Sequence, residues 1–335
     1  MVARTKKLIN KPETILRDML TGFAEAYPSI VRLTENGLIV RRTPKAQGKV
    51  GLVIGNGSGH EPAMIGLVGE GLFDVNVAGE IFAAPGPERI VEGIRAADHG
   101  AGVLVCVSHH AGDRMNAEIA LELCAAYGIE NVEIVLLYDD ISSAPKGQEE
   151  ERRGTAGLFY VWKMLGAYAE TGASLADCKR MAEKIRDHTR TLAMALTPGT
   201  NPVSGQVMFE LPDDQYEIGM GVHGEVGSGR RTLTNANDVI DQMLPPILAD
   251  FPFVKGDEVL VMLNNSGSLT LMELYILYGR VAEHLKREGI TVYKSWIGQY
   301  ATTQEMAGFA LSLCKVDDEL KSLWDAPAHG ASITF

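Results

Sequence analysis

Four segments of the chain are dominated by apolar residues without strict alternation: KVGLVIG at 49–55, DVNVAG at 74–79, GVLVCVS at 102–108 and NVEIVLLYDD at 131–140. A strand with one wet face alternates polar and apolar residues, so unalternating strands need cover on both faces. Helical stretches at 86–97 and 113–127 lie between these segments and supply that cover. The pattern predicts an α/β fold, a largely parallel or mixed sheet covered by helices. Ligands of such sheets bind beyond the carboxyl ends of the strands. GNGSGHEP at 55–62 and HHAGDRMN at 109–116 both fall there, which points them at one crevice.

The remainder extends the alternation. Ile15, Met19, Leu20 and Phe23 share one face of a predicted N-terminal helix that Pro12 starts and Pro28 closes. The charged run PKGQEEERRG at 145–154 reads as a solvated connector. Helices are predicted over 155–170 and 174–191; the apolar run at 155–169 is too short to span a bilayer and carries Lys163, so it reads as a buried helix. TPGTNPVSGQ at 197–206 is a break, and YEIGMGVHG, EVLVMLNN and TVYKSWIG read as strands around helices at 235–249 and 268–287. A chain of 335 residues exceeds one typical core, and the break places two α/β domains at 1–192 and 193–335.

A net charge of −12 argues against nucleic acid or an anionic membrane as main partner. Cys106, Cys124, Cys178 and Cys314 form no CxxC pair and read as buried thiols of a reducing compartment, not as a disulfide frame or zinc site. The N-terminus has no apolar signal core, so the expected location is cytoplasmic.

Two histidines sit among glycines. In GNGSGHEP, Gly55, Gly57 and Gly59 permit positive φ and close approach of a ligand, and a following helix would aim its amides at bound oxygens. The spacing is not that of a dinucleotide loop, and no phosphate-loop signature occurs. His60 reads as an exposed turn imidazole able to move protons. Asp113 reads either as the N-cap of the following helix or as a ligand-facing carboxylate. His109 and His110 are strand neighbours that point to opposite faces, a poor metal pair. His223, in GMGVHGEVGSGR at 219–230, is either a satisfied turn histidine or an accessible one at a strand end, with Glu225 placed to orient a ring nitrogen. His99, His188, His284 and His329 read as surface residues.

GNGSGHEP, AGDRMN, RRGTAGLFYVWKMLGAYAE and EIGMGVHGEVG, in that order, resemble the dihydroxyacetone kinase family, specifically its DhaK-type substrate-binding subunit. The resemblance runs from KKLINKPETILRDMLTGFAEAYP to about residue 315. It implies a two-domain α/β homodimer of glycerol and carbohydrate metabolism that bonds a ketose carbonyl carbon covalently through His223. It further implies His60 as general base, Asp113 as its partner at the reacting hydroxyl, and Gly57, Ser58 and Gly59 lining the sugar. No metal is implied in this subunit. The nucleotide, ATP or ADP with magnesium, belongs to a separate helical DhaL-type subunit.

One stretch departs from the family pattern. Where the family has Lys-Asn-Tyr before the GD pair, this chain has Ser108, His109 and His110. The substrate contact at Ser108 therefore differs, and the ketose is either dihydroxyacetone or a tetrulose such as erythrulose. A non-catalytic, coactivator-like ketose-binding homologue is the alternative reading; a pure sensor would need only His223.

Overall fold

The computed structural model of the chain describes residues 5–331, 333 and 334. It divides into two compact units: the first takes residues 8–137, 159–186 and 320 onward, the second 138–158 and 187–319 with residues 5–7.

The first unit contains α1 (Ile15–Ala26), β1 (Val31–Leu33), β2 (Ile39–Arg41), β3 (Gly51–Ser58), β4 (Gly69–Glu70), β5 (Val75–Ile81), α2 (Pro87–Ala97), β6 (Val103–Ser108), α3 (Ala111–Ala126), β7 (Val132–Leu137), α4 (Leu158–Glu170) and α5 (Leu175–Asp187). Its six-stranded sheet has the order β1-β2-β5-β3-β6-β7. Strands β5, β3, β6 and β7 run parallel, and β1 and β2 form an antiparallel margin. Val53, Val77, Val103 and Val105 point to one face, against Ile90 and Ile94 of α2 and Ala117 and Ala120 of α3. Ile39 and Ala78 point to the other, where Leu20, Met19 and Phe23 of α1 cover them. Cover on both faces is why these strands read as unalternating.

Helix α4 is buried through most of its length, and Gly166 lets it pass close to the chain: a β-carbon there would lie 2.3 Å from Gly71 O. Lys163 is fully buried, and its ammonium donates to Leu323 O at 2.9 Å and Ala326 O at 2.8 Å.

The second unit contains β8 (Thr189–Thr197), β9 (Gln215–Ile218), β10 (Gly229–Thr232), α6 (Ala236–Asp250), β11 (Glu258–Asn265), α7 (Leu271–Glu288), β12 (Thr291–Gly298) and β13 (Ala307–Val316). Its sheet order is β10-β9-β8-β13-β11-β12; β11 and β12 pair in parallel and the other neighbours antiparallel. Asn235 caps α6, and a reciprocal Thr270–Glu273 capping box starts α7, which Gly289 ends at φ 71°. The chain then returns to the first unit through α8 (Asp318–Asp325) and β14 (His329–Gly330), which pairs with β4.

The expected two α/β units with mixed sheets are present, but several local expectations fail. A cut at 192 would fall inside β8, which pairs with both β13 and β9. The chain instead crosses early: Asp139 and Ile141 bond to the backbone of Thr191, tying 138–158 to the second unit. The helix predicted to 191 stops at Asp187 because these sheet pairings capture Thr189 onward. The connector read as solvated is exposed at 145–148, but Arg152 is 1% exposed and clamps Asp250 at 2.8 and 2.6 Å. His99 and His284 are buried, His99 beside Asp74 and His284 bonded to Asp241 at 2.5 Å. No helix among the described residues is long and apolar enough to cross a membrane.

Candidate functional site

In the first unit, adjacent parallel strands β3 and β6 bring GNGSGHEP and HHAGDRMN to one edge of the sheet, as their strand-end positions predict. The loop after β5 joins them: Asn116 of α3 donates to Pro85 O at 2.9 Å, and Phe82 N to Ser58 O at 2.8 Å. That loop also explains the glycines. A β-carbon at Gly57 would lie 2.8 Å from Ala83 N, and one at Gly59, whose φ is +103°, would lie 2.7 Å from the Phe82 ring. On the side where a β-carbon would stand, both α-carbons are packed against protein. Nor does an α-helix follow: β3 runs to Ser58, then a turn and a single 3-10 turn at Ile65–Leu67 lead into β4.

His60 is 7% exposed rather than an exposed turn residue, and its ring centroid stands 5.1 Å from that of Phe82. Ser58 donates its hydroxyl to Gly79 O at 2.7 Å, and Glu61, pushed up in pKa by burial, accepts from Gly59 N at 3.0 Å. Ser108 is 3% exposed, with its hydroxyl 3.4 Å from His110 Nδ1. Asp113 is buried, and it is not the N-cap: His110 holds that place, and Asp113 stands in the first helical turn. A carboxylate there is favoured by the amide dipoles of the helix start.

In the second unit His223 does not end a strand. It stands on the 219–228 loop that joins β9 to β10. Gly221 N donates to Glu225 O at 3.0 Å and Gly224 N to Gly221 O at 3.1 Å, closing a tight turn around His223. Glu225 uses both carboxylate oxygens on this residue: Oε2 accepts from His223 N at 2.8 Å, and Oε1 lies 3.3 Å from His223 Nδ1. Burial raises the Glu225 carboxyl, but the bond to His223 and the charge beside it prevail and hold it well below the usual carboxylate range. A neutral ring that donates Nδ1–H to this carboxylate keeps its lone pair on Nε2. His223 keeps 27% side-chain exposure.

The glycines here also serve the loop itself. Gly219 has φ +80° and would clash with Ser142, while a β-carbon at Gly227 would lie 2.2 Å from Ile218 O. Thr303, 1% exposed in the loop between β12 and β13, donates its hydroxyl to Val222 O at 2.9 Å and pins the turn. Two residues not singled out in the sequence, Asp140 and Arg153, complete the surroundings: Arg153 binds Asp140 and donates to Gly219 O at 3.1 Å. The signal was present, since Asp140 lies just beyond the carboxyl end of the parallel edge strand β7, where functional groups of α/β sheets collect. All four cysteines are buried; burial pushes Cys178 up to about 11 and Cys314 up to about 12, so both stay thiols.

The two α/β units each carry a histidine on a tightly packed glycine loop. The chain belongs to the Dak1 domain family, which it matches over residues 21–332. It is 41% identical to the PTS-dependent dihydroxyacetone kinase 1, dihydroxyacetone-binding subunit DhaK, of Listeria innocua, covering 94% of this chain and 95% of that one. It is 36% identical to the L-erythrulose kinase of Pectobacterium atrosepticum, covering 96% of this chain and 55% of that protein. Among solved structures, the dihydroxyacetone kinase operon co-activator DhaQ superposes with a TM-score of 0.87 at 30% identity, covering 94% of this chain and 97% of that one.

Proposed function

We propose that the chain is the ketose-binding subunit of a dihydroxyacetone-type kinase and captures its substrate covalently on His223. The observation that carries this reading is the Glu225 carboxylate 3.3 Å from His223 Nδ1. The Nε2 lone pair adds to the ketose carbonyl carbon, a C–N bond forms, and the π pair moves to oxygen, which takes a proton. The ring becomes an imidazolium through its retained Nδ1–H, beside an anion that stabilises it; passing that proton to solvent leaves a neutral hemiaminal. Polyols without a carbonyl are rejected. Gly57, Ser58 and Gly59 line the sugar, His60 is the base that takes the hydroxyl proton, and Asp113 is its partner. The nucleotide, ATP or ADP with magnesium, resides on a separate helical nucleotide-binding subunit, where ATP gives its γ-phosphoryl to the sugar and leaves ADP. The chain works as a cytoplasmic homodimer in glycerol metabolism.

Ser108 stands where family members carry a lysine, and a short buried hydroxyl leaves more room than a lysine side chain. This supports a tetrulose as well as dihydroxyacetone, in line with the erythrulose kinase relative. The likeness to a co-activator supports the second reading, ketose capture without turnover.

The test uses [2-13C]dihydroxyacetone and erythrulose labelled at the carbonyl. Binding moves the carbonyl resonance to the tetrahedral range in the wild type and not in His223→Ala. Adding a nucleotide-binding partner with ATP and magnesium then gives the sugar phosphate, which the chain alone does not. Full-strength binding in His223→Ala overturns the covalent reading; capture without turnover with any partner supports the co-activator reading instead.

A further inference from the structure

We propose that Arg153, fixed by Asp140, is a positioning residue that holds Glu225 against His223 and so sets which ring nitrogen attacks. The inference deepens the capture reading above and rests on it.

Arg153 is an oriented cation. Its Nε and Nη2 bind Asp140 Oδ2 at 3.0 and 2.7 Å, and Nη2 also donates to Gly219 O at 3.1 Å. Asp140 is itself fixed, 3% exposed, with its other oxygen accepting from Ser142 N at 2.9 Å and Ser142 Oγ at 2.6 Å. Two anchors on one edge of the guanidinium leave Nη1 aimed along the loop, 3.9 Å from Glu225 Oε2. The sequence makes room for that meeting: a β-carbon at Gly221 would lie 2.1 Å from Glu225 Oε2 and 2.4 Å from Arg153 Nη1.

The consequence is chemical. Glu225 Oε1 can stay on His223 Nδ1 only while Oε2 is held on its other side, by His223 N and by the charge of Arg153. Which nitrogen of an imidazole carries the proton is set by the bond the other makes. Without Arg153, Oε2 keeps only the His223 N–H bond, and Glu225 turns to water more readily. The ring then samples the tautomer with its proton on Nε2, which cannot attack a carbonyl through that nitrogen.

The test pairs a spectroscopic readout with capture. In protein labelled with 15N-histidine, His223 of the wild type shows the Nδ1–H tautomer. Arg153→Met and Asp140→Asn shift it toward Nε2–H, and adduct formation with carbonyl-labelled ketose falls about two- to fivefold, the scale of a lost, partly exposed ion pair. Arg153→Lys, which keeps the charge without the two-point anchor, falls between. Circular dichroism and thermal melting confirm folding, and if Arg153→Met is unfolded the Lys and Asn variants decide. Folded variants with the wild-type tautomer and wild-type capture overturn the proposal. A wild type that forms no adduct refutes the capture reading, and the tautomer shift then still decides the role of Arg153.

Discussion

Gly221 lies directly against Glu225, with 2.1 Å between the place a β-carbon would occupy and Glu225 Oε2. Any side chain at 221 must displace the carboxylate that bonds His223. Overpacking of this kind costs about 1–3 kcal/mol where the structure yields. Gly221→Ala should therefore reduce ketose capture by roughly tenfold or more. Gly48→Ala, at a site with open space and a positive φ of 82°, serves as control: it strains the backbone yet leaves capture unchanged. Equal capture by Gly221→Ala and wild type would show that Glu225 does not act on the ring.

His60 is expected to act on phosphoryl transfer and not on capture. A positioned base contributes about 10²–10⁴-fold. With the nucleotide-binding partner present, His60→Asn should lower kcat at least about a hundredfold while the carbonyl-labelled ketose stays bound. Asp113→Asn should behave similarly. Because Asp113 stands in the first turn of α3 and not at its cap, its replacement should cost only about 0.3–1 kcal/mol of stability. Intact turnover in His60→Asn would make that ring a packing residue against Phe82.

The Arg152–Asp250 pair is buried, 1% and 9% exposed at the side chains, and Arg190 joins it on Asp250 Oδ1. Removing one partner strands two guanidinium groups. Asp250→Ala should destabilise the protein by about 3–5 kcal/mol, read as a lowered urea midpoint. A midpoint within error of the wild type would mean that water replaces the carboxylate.

Burial pushes the Asp139 carboxyl up to about 6, outweighing the bonds it accepts from Thr191 and Thr155. The folded chain thus holds this proton more tightly than the unfolded chain. The resulting stability is full below the ordinary value of 3.8 and is lost as pH rises through about 6. The loss is roughly 3 kcal/mol from this one group. A 13C-detected titration of Asp139 with a midpoint near 4 would refute the shift. Glu225 runs the opposite way: its depressed carboxyl stabilises the fold above the ordinary 4.5 and loses that contribution as pH falls through the lowered value.

The sequence displayed the first unit's sheet more openly than the second's. Buried parallel strands such as β6, VLVCVS, are apolar on both faces and stand out by composition alone. Strand β8, TRTLAMALT, carries Leu, Ala and Met, which suit a helix as well, and only its partners β9 and β13 make it a strand. The site divides in the same manner. His60 and His223 were conspicuous among glycines, yet those glycines chiefly admit neighbouring protein: Phe82 and Ala83 at one loop, Glu225 and Arg153 at the other. Arg153 was hidden in a charged run because its partner, Asp140, lies thirteen residues earlier, a pairing that no local pattern announces.

The interleaving of the two units bears on how the protein is made. Strand β4 waits for β14, and the Lys163 ammonium waits for the carbonyls of Leu323 and Ala326. On the ribosome, then, the unit whose strands emerge first is the one completed last. The second unit, with the His223 loop, has all of its strands by Val316 and can close while the first is still open.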